Sequence, residues 1–312
     1  MLSAVDKLNY RPDMLARSLR TRSTSTIGLI INDIRNPFYS AVVEGVEDTA
    51  IAAGYTVMLC SIREDPAREV EYLQLLRDKG ADGIIFAPTR HSRAEIHALL
   101  HANVPLVQFD RQLPELPASA VVMNNEQSAY QLVGHLIERG HTDIALATYS
   151  LGQLSILERE RGYRRALDEA GIASREENIC RAGLGQDEVA QLLRELLARA
   201  APPTALVAAN NRIGVAALKV IKELDLSVPH DIAVAAFDDI ELFSLHDPPI
   251  TAVAQNAYQI GQRAAELLLA KVRSPQAPSE VITIDAELIV RESTSRCSRP
   301  RPEEITASGG SF

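Results

Sequence analysis

Short apolar runs alternate with amphipathic stretches from Thr26 onwards. The runs are IGLII (27–31), TVMLC (56–60), GIIFA (83–87), PLVQF (105–109), IALAT (144–148), ALVAA (205–209) and IAVAAF (232–237). Each run is nearly continuous, which is typical of a strand buried on both faces of a parallel sheet. Helices are predicted between them over 40–53, 67–79, 127–139, 158–170 and 212–224. Such alternation predicts a doubly wound α/β fold.

The number of strand and helix units exceeds what one sheet of usual size holds, so we expect two similar domains. The segment GHTDIALA (140–147) is the predicted first crossing between them. The turn HDPPIT (246–251) is the predicted return, because paired prolines stop the preceding element. The tail from Ser295 has almost nothing apolar and is predicted to be disordered.

Composition and charge add a division along the chain. With 312 residues, 46% of them hydrophobic, the chain can bury two cores. Residues 1–22 hold five basic and two acidic side chains, a net +3, which leaves −12 for the remainder of a chain whose total is −9. A basic segment can lie on phosphates, whereas the acidic remainder would be repelled by them. A solvated helix face is the alternative explanation of the basic segment.

Other functional classes find little support in the sequence. We found no apolar stretch of membrane-spanning length and no secretion signal, so a cytoplasmic protein is expected. Cys60, Cys180 and Cys297 are far apart, which favours reduced thiols, and no metal or cofactor is expected. The phosphate-binding loop and the nucleophile elbow of hydrolases are missing, and Gly183-Leu184-Gly185 lacks the third glycine of a dinucleotide turn. The sequence therefore predicts no enzyme.

Polar and aromatic residues follow several of the predicted strands. They are Asp33, Asn36, Phe38 and Tyr39 after the first run, Asp110 and Arg111 after PLVQF, Asn210 and Asn211 after ALVAA, and Asp238 after IAVAAF. Ligands of doubly wound sheets bind beyond the carboxyl ends of the strands. Carboxylates, amides and a guanidinium bond vicinal hydroxyls, and aromatic faces cover a sugar ring. The alternative is that these residues cap helices and close turns.

The wording and order of several segments resemble the LacI/GalR family of transcriptional regulators, over about Ser3 to Ser295. The segments are LNYRPDMLARSLRT (8–21), TIGLIINDIRNPFYSAVVEGVED (26–48), ADGIIFAPT (81–89), VPLVQFDR (104–111), HLIERGHTDIAL (135–146), ERERGYRRALDEAGI (158–172), AANNRIGVAAL (208–218) and VPHDIAVAAFDD (228–239). The resemblance implies a DNA-binding headpiece, a hinge helix and a homodimer. It also implies a two-lobed effector domain like that of type I periplasmic sugar-binding proteins.

The resemblance also implies the effector-binding residues. They are Asn36, Phe38, Tyr39, Asp110, Arg111, Gln153, Ser155, Arg159, Asn210, Phe237, Asp238 and Gln255. In the family the aromatic pair stacks on the ligand, and the arginine that matches Arg159 clamps its hydroxyls or a carboxylate. Asn211 replaces the aspartate that is usual beside Asn210. The set resembles that of sugar and sugar-acid binders more than that of purine binders.

A hinge helix that binds operator DNA is implied for Arg11 to Arg20. Its DNA-contacting residues would be Arg11, Leu15, Ala16, Arg17, Leu19 and Arg20. In the family a leucine matching Leu19 wedges into the minor groove. An ordinary linker helix is the alternative. Because only nine residues precede Tyr10, we expect most of the headpiece to be missing and sequence-specific DNA binding to fail.

The expected organisation has four parts. Residues 1–24 are the headpiece remnant and hinge, 25–141 with 252–277 the N-terminal lobe, 142–251 with 278–295 the C-terminal lobe, and 296–312 a disordered tail. The predicted function is that of a ligand-responsive transcriptional regulator, a repressor, whose effector is a small sugar or sugar acid. The alternative is a free-standing sugar-binding receptor of the same fold.

Overall fold

The computed structural model describes residues 23–89, 92–150, 152–183 and 185–295, apart from the side chain of residue 186. The predicted hinge residues, from Arg11 to Arg20, and the predicted tail from 296 lie outside the described residues. The strands are β1 Thr26–Ile31, β2 Thr56–Ser61, β3 Gly83–Phe86, β4 Leu106–Phe109, β5 Ser119–Met123, β6 Ile144–Tyr149, β7 Ile179–Ala182, β8 Ala205–Ala208, β9 Ala233–Phe237, β10 Thr251–Ala254, β11 Val281–Ile284 and β12 Glu287–Ile289.

Nine α-helices accompany these strands in the described residues. They are α1 Pro37–Ala52, α2 Pro66–Asp78, α3 Arg93–His101, α4 Asn125–Glu138, α5 Leu154–Glu169, α6 Gln186–Leu197, α7 Asn211–Glu223, α8 Glu241–Leu245 and α9 Ala257–Arg273. Short 3-10 helices cover Glu176–Asn178 and Glu292–Thr294. The predicted helices are present but begin one to four residues earlier than predicted, because first turns such as that of α2 are formed by proline and polar residues.

The chain divides into two compact units. Unit 1 contains the described residues up to 35, with 39–121 and 257–282. Unit 2 contains the described residues among 36–38, 122–256 and 283–295. Residues 122–141 group with unit 2, because α4 packs closely on α5. The sequence predicted them in the N-terminal lobe instead. The lobe boundaries derived from the sequence stay a prediction.

Each unit is built on one sheet of six strands, and the two sheets repeat the same strand order. The order is β11-β5-β4-β3-β1-β2 in one sheet and β12-β10-β9-β8-β6-β7 in the other. Neighbours from β5 to β2 and from β10 to β7 pair in parallel, whereas β12 pairs antiparallel with β10. Central strands such as β3 and β9 are fully buried, as the continuous apolar runs predicted. The predicted fold class is confirmed.

The first described residues are tied to the amino end of unit 1's sheet. Asp82, directly before β3, accepts hydrogen bonds from Ser23 Oγ at 2.5 Å, Thr24 N at 3.0 Å and Ser25 N at 2.9 Å. The hydroxyl of Thr24 also donates to the Gly80 carbonyl at 2.8 Å. One carboxylate therefore fixes the point at which the chain enters β1.

A search of the described helices for a membrane span gave no candidate of sufficient length and hydrophobicity.

Candidate functional site

In unit 1, polar side chains meet at the carboxyl ends of β1 and β4. Tyr39, in the first turn of α1, accepts a hydrogen bond from Asn32 Nδ2 at 2.8 Å and donates one to Asp110 Oδ2 at 2.9 Å. Its ring lies edge-on to Phe109, with centroids 6.2 Å apart. Burial and the Asp110 carboxylate raise the pKa of Tyr39 well above its ordinary value, although Arg111 acts in the opposite direction. Tyr39 therefore stays a neutral donor.

Arg111 follows Asp110 and forms a forked ion pair. Its two terminal nitrogens donate to the Glu64 carboxylate at 2.8 and 2.6 Å, and its Nε lies 3.8 Å from Asp110 Oδ2. Burial lowers the pKa of Arg111, but Tyr39, Glu64 and Asp110 outweigh burial, so that this pKa lies above its ordinary value. The guanidinium is permanently charged and held in one orientation.

In unit 2, Arg159 is held by four contacts. Its Nε donates to Asn125 Oδ1 at 2.9 Å, and its Nη1 donates to the Ala209 carbonyl at 2.5 Å. The guanidinium carbon lies 4.4 Å from the centre of the Phe237 ring, and Nη1 lies 3.9 Å from Asp238 Oδ1. Planar stacking and a nearby carboxylate leave the guanidinium little freedom.

Asp238 lies at the carboxyl end of β9 and joins three elements of unit 2. Its carboxylate accepts hydrogen bonds from Gln255 Nε2 at 2.5 Å, after β10, and from the backbone N–H of Asn211 at 3.3 Å, at the start of α7. Its own N–H donates to the Val253 carbonyl at 3.0 Å. The N-terminus of α7 thus directs its positive end at this carboxylate.

Asn36, Phe38, Asn210 and Asn211 form a smaller set in unit 2. Asn211 Nδ2 donates to Asn36 Oδ1 at 2.8 Å, and the same oxygen accepts from Phe38 N at 3.0 Å. Asn210 Oδ1 caps α7 by accepting from Ile213 N at 2.9 Å. For Asn210 the structure therefore shows the helix-capping contact that the sequence analysis left open as an alternative.

Gln153 and Ser155 stand at the start of α5. Gln153 is its N-cap residue, and its carbonyl accepts from Leu157 N at 3.0 Å, while Ser155 is buried one turn before Arg159. Their predicted role at the effector stays a prediction.

Several buried polar atoms near these residues have no hydrogen-bond partner within the described part of the chain. They are Asn32 Oδ1 in unit 1 and Thr148 Oγ1, Asn211 Oδ1 and Gln255 Oε1 in unit 2. Buried polar groups in folded proteins are almost always hydrogen-bonded, and leaving one unpaired is costly. A hydroxylated ligand carries the donors and acceptors that such atoms lack.

Three residues that hold these clusters together were not predicted from the sequence, namely Asn32, Glu64 and Asn125. Asn32 directly follows β1, and Asn125 comes two residues after β5. The rule that ligands bind beyond strand ends, which selected Asp110, also points to Asn32. It would have pointed to Asn125 as well, had the run AVVM (120–123) been predicted as a strand. Glu64 has no such signal, because it lies in a loop three residues past β2.

Comparison with known proteins agrees with this architecture. The family description of a periplasmic binding protein-like domain matches residues 133–294. The HTH-type transcriptional repressor PurR of Vibrio campbellii is 31% identical over 298 residues, which are 95% of this chain and 89% of the relative. The chain belongs to the LacI/GalR family. It is a ligand-responsive transcriptional regulator, as predicted.

Two solved structures of LacI/GalR-type proteins are similar over most of the chain. One is a putative ribose operon repressor from Burkholderia thailandensis, with 30% identity and a TM-score of 0.78, covering 85% of this chain and 98% of that one. The other is a LacI family regulator from Enterococcus faecium with bound ribose, with 27% identity and a TM-score of 0.79, covering 87% and 99%. These relatives are described as regulators or repressors rather than as free-standing receptors.

Proposed function

We propose that the chain senses a small sugar or sugar acid through the two polar clusters described above, and that it has no catalytic activity. The observation that supports this most is the arrangement around Arg159, whose fixed guanidinium, aromatic neighbour Phe237 and nearby carboxylate Asp238 suit a polyol with an apolar face. The unpartnered oxygens of Asn211 and Gln255 lie in the same unit. The ribose bound to the Enterococcus faecium regulator makes D-ribose a suitable first probe.

Replacing Arg159 or Asp238 tests this proposal. Arg159→Ala and Asp238→Ala should each weaken the binding of D-ribose, or of another sugar that binds the wild type, by at least ~2 kcal/mol in calorimetry. The reason is that each change leaves a buried polar partner unpaired. Arg161→Ala and Asp168→Ala, on exposed positions of the same helix α5, are the matched controls and should bind normally. Unchanged affinity in both site variants would refute the proposed site.

We further propose that effector binding shifts the population between two conformations that differ in their fit to operator DNA. DNA contact would be made through the hinge segment, Arg11 to Arg20, of a cytoplasmic homodimer. Family membership supports the operator as the partner.

A gel-shift assay tests the DNA part of the proposal. The chain extended at its N-terminus by the helix-turn-helix of a LacI/GalR relative should discriminate that relative's operator from random DNA. Equal binding of random DNA by the extended chain would contradict a role in operator recognition.

A further inference from the structure

In the cluster of unit 1, the guanidinium of Arg111 is already paired with a carboxylate of the protein itself. Arg111 and Glu64 share two hydrogen bonds of 2.8 and 2.6 Å, and their side chains are only 10% and 14% exposed. This parallel pair of bonds is the geometry in which a guanidinium recognises a ligand carboxylate. An anionic ligand would therefore have to displace Glu64 in order to pair with Arg111.

The backbone around Glu64 indicates that its position is specified. Arg63 and Glu64 both have left-handed conformations, with φ of 54° and 60°, although neither is glycine. The loop is held by Arg63 N, which donates to the Asn32 carbonyl at 2.6 Å, and by Asp65 N, which donates to the Ile62 carbonyl at 3.0 Å. Unfavourable conformations persist where surrounding structure enforces them, and they concentrate at functional sites.

The charges around Arg111 are predominantly negative. Glu64 and Asp110 both face its guanidinium, and the buried Glu69 is close enough for Arg111 to lower its pKa, although burial has the larger, raising effect. The carboxylates of Glu64 and Asp110 thus both lie beside one cation. A carboxylate brought by a ligand would be repelled by both of these side chains.

Neutral hydroxyl groups fit the same cluster without such a cost. Asp110 accepts hydrogen bonds, and Asn32 Oδ1 is a buried acceptor without a partner within the described residues. Hydroxyl donors satisfy both atoms, whereas a ligand carboxylate has no proton to offer either of them.

We propose that Glu64 sets the charge selectivity of the sensor, so that the effector is an uncharged polyhydroxy compound and sugar acids are rejected. The inference rests on the proposed function, since it selects between the two effector classes named there. Glu64 acts by neutralising Arg111 and by holding it beside Asp110.

Thermal unfolding in the presence of matched neutral and acidic sugars tests the charge selectivity separately from the proposed sensing of a sugar or sugar acid. D-ribose, D-xylose and D-glucose are compared with D-ribonate, D-gluconate and D-glucuronate at equal ionic strength, and a neutral sugar should raise the melting temperature while the acids leave it unchanged. Stabilisation by an acid as large as that by any neutral sugar overturns the inference alone. Stabilisation by none of the six overturns the proposed function with it.

A single substitution tests the role of Glu64 directly. Glu64→Gln keeps the size of the side chain but removes the carboxylate that pairs with the two terminal nitrogens of Arg111, so the affinity for the acid matching the preferred sugar should rise on the order of tenfold in calorimetry. Glu115→Gln, which removes a carboxylate from an exposed ion pair with Arg93 in the same unit, is the control and should not gain.

The double variant Glu64→Gln/Arg111→Gln provides a second test in case the single variant does not fold. Replacing both partners removes the buried charges together, which is better tolerated than removing one of them. It should bind neutral sugars more weakly than the wild type and gain nothing toward acids. Failure of Glu64→Gln to gain acid affinity while still folded, or an equal gain in the double variant, overturns the assignment.

Discussion

Two aspartates have the same local structure in the two units. Asp110 and Asp238 each follow a buried phenylalanine at the end of a central strand, and both are left-handed, with φ of 60° and 65°. Each N–H donates to a carbonyl of the neighbouring strand at 3.0 Å, on Val121 and Val253. Aspartate tolerates this conformation better than most residues. The fold has therefore placed a carboxylate at matching points of two repeated sheets.

The sequence could predict these aspartates but not their conformation. The rule that ligands gather beyond strand ends selected Asp110 and Asp238, because each directly follows an apolar run. The left-handed backbone depends on a hydrogen bond to a strand that is distant in sequence. For the same reason Glu64 could not be predicted, since no glycine marks its loop and Arg111 lies 47 residues away.

The buried carboxyl of Glu69 gives a prediction about pH. Its two oxygens accept from Thr89 N at 3.0 and 3.1 Å, and burial raises its pKa above the ordinary 4.5. The folded chain then keeps a proton that the unfolded chain has released, so the free energy of unfolding falls as pH rises from about 4.5 through the raised pKa. Glu69→Gln should lack this fall.

Urea unfolding of the wild type and of Glu69→Gln between pH 4.5 and 7 measures how their free energies of unfolding differ in pH dependence. Glu71→Gln, on an exposed position of the same helix α2, is the control and should follow the wild type. Parallel pH profiles for wild type and Glu69→Gln would show that Glu69 titrates alike in the folded and unfolded chains.

At the scale of elements, glycines bring helix backbones into contact within each unit. A Cβ on Gly162 of α5 would lie 2.1 Å from the Glu126 carbonyl oxygen of α4. In unit 1, a Cβ on Gly45 of α1 would lie 2.1 Å from the Tyr258 carbonyl oxygen of α9, and one on Gly261 equally close to that of Val42. These helix pairs tolerate no side chain at the crossing.

Alanine at one of these glycines should be costly. Gly162→Ala is expected to lower the free energy of unfolding by ~1–3 kcal/mol, because the two backbones must separate. Gly134→Ala in α4 is the matched control, since a Cβ there has nothing within 4 Å. It should instead raise the stability by roughly 0.5–1 kcal/mol through helix propensity. Chemical denaturation measures both, and similar values for the two variants would contradict the close approach.

Burial explains only part of which strands could be predicted. The seven apolar runs correspond to β1–β4, β6, β8 and β9, and most of these strands are buried along their length, although β2 is a half-exposed edge strand. The strands β5 and β10 are mostly buried and were not predicted. The edge strands β11 and β12 are half-exposed and only four and three residues long, and were not predicted. Their position depends on pairing with β5 and β10 rather than on their own sequence.

For the whole molecule, the alternation of strands and helices was sufficient to predict two α/β units, but not their limits. Residues 122–141 contain a strand end and the helix α4, a pattern that suits either unit. The contact between α4 and α5 decides the assignment, and it depends on Gly162 meeting a specific backbone carbonyl.

We expect the chain to be a dimer in solution. Family resemblance predicts it, and α8 presents Leu242 and Leu245, which are 49% and 73% exposed. Exposed apolar side chains of this kind favour an interface. Light scattering should give about twice the chain mass of 34.1 kDa at micromolar concentration.

Leu245→Glu should shift that equilibrium to the monomer, because a charge would be buried at the contact. Leu75→Glu, on an exposed position of α2, is the control and should leave the mass unchanged. A monomeric wild type would count against the hinge mechanism, and a dimeric Leu245→Glu would place the interface elsewhere.

The anchor at Asp82 has a consequence for signalling. Asp82 and Ser23 lie before the amino ends of β3 and β1, whereas Asp110 and Tyr39 lie beyond the carboxyl ends of the same sheet. The four-residue strand β3 spans ~13 Å. Asp110 and Tyr39 are therefore separated from Ser23 by the length of the strands. A signal from the ligand can reach the residues that precede Ser23 only if the sheet moves as a rigid body.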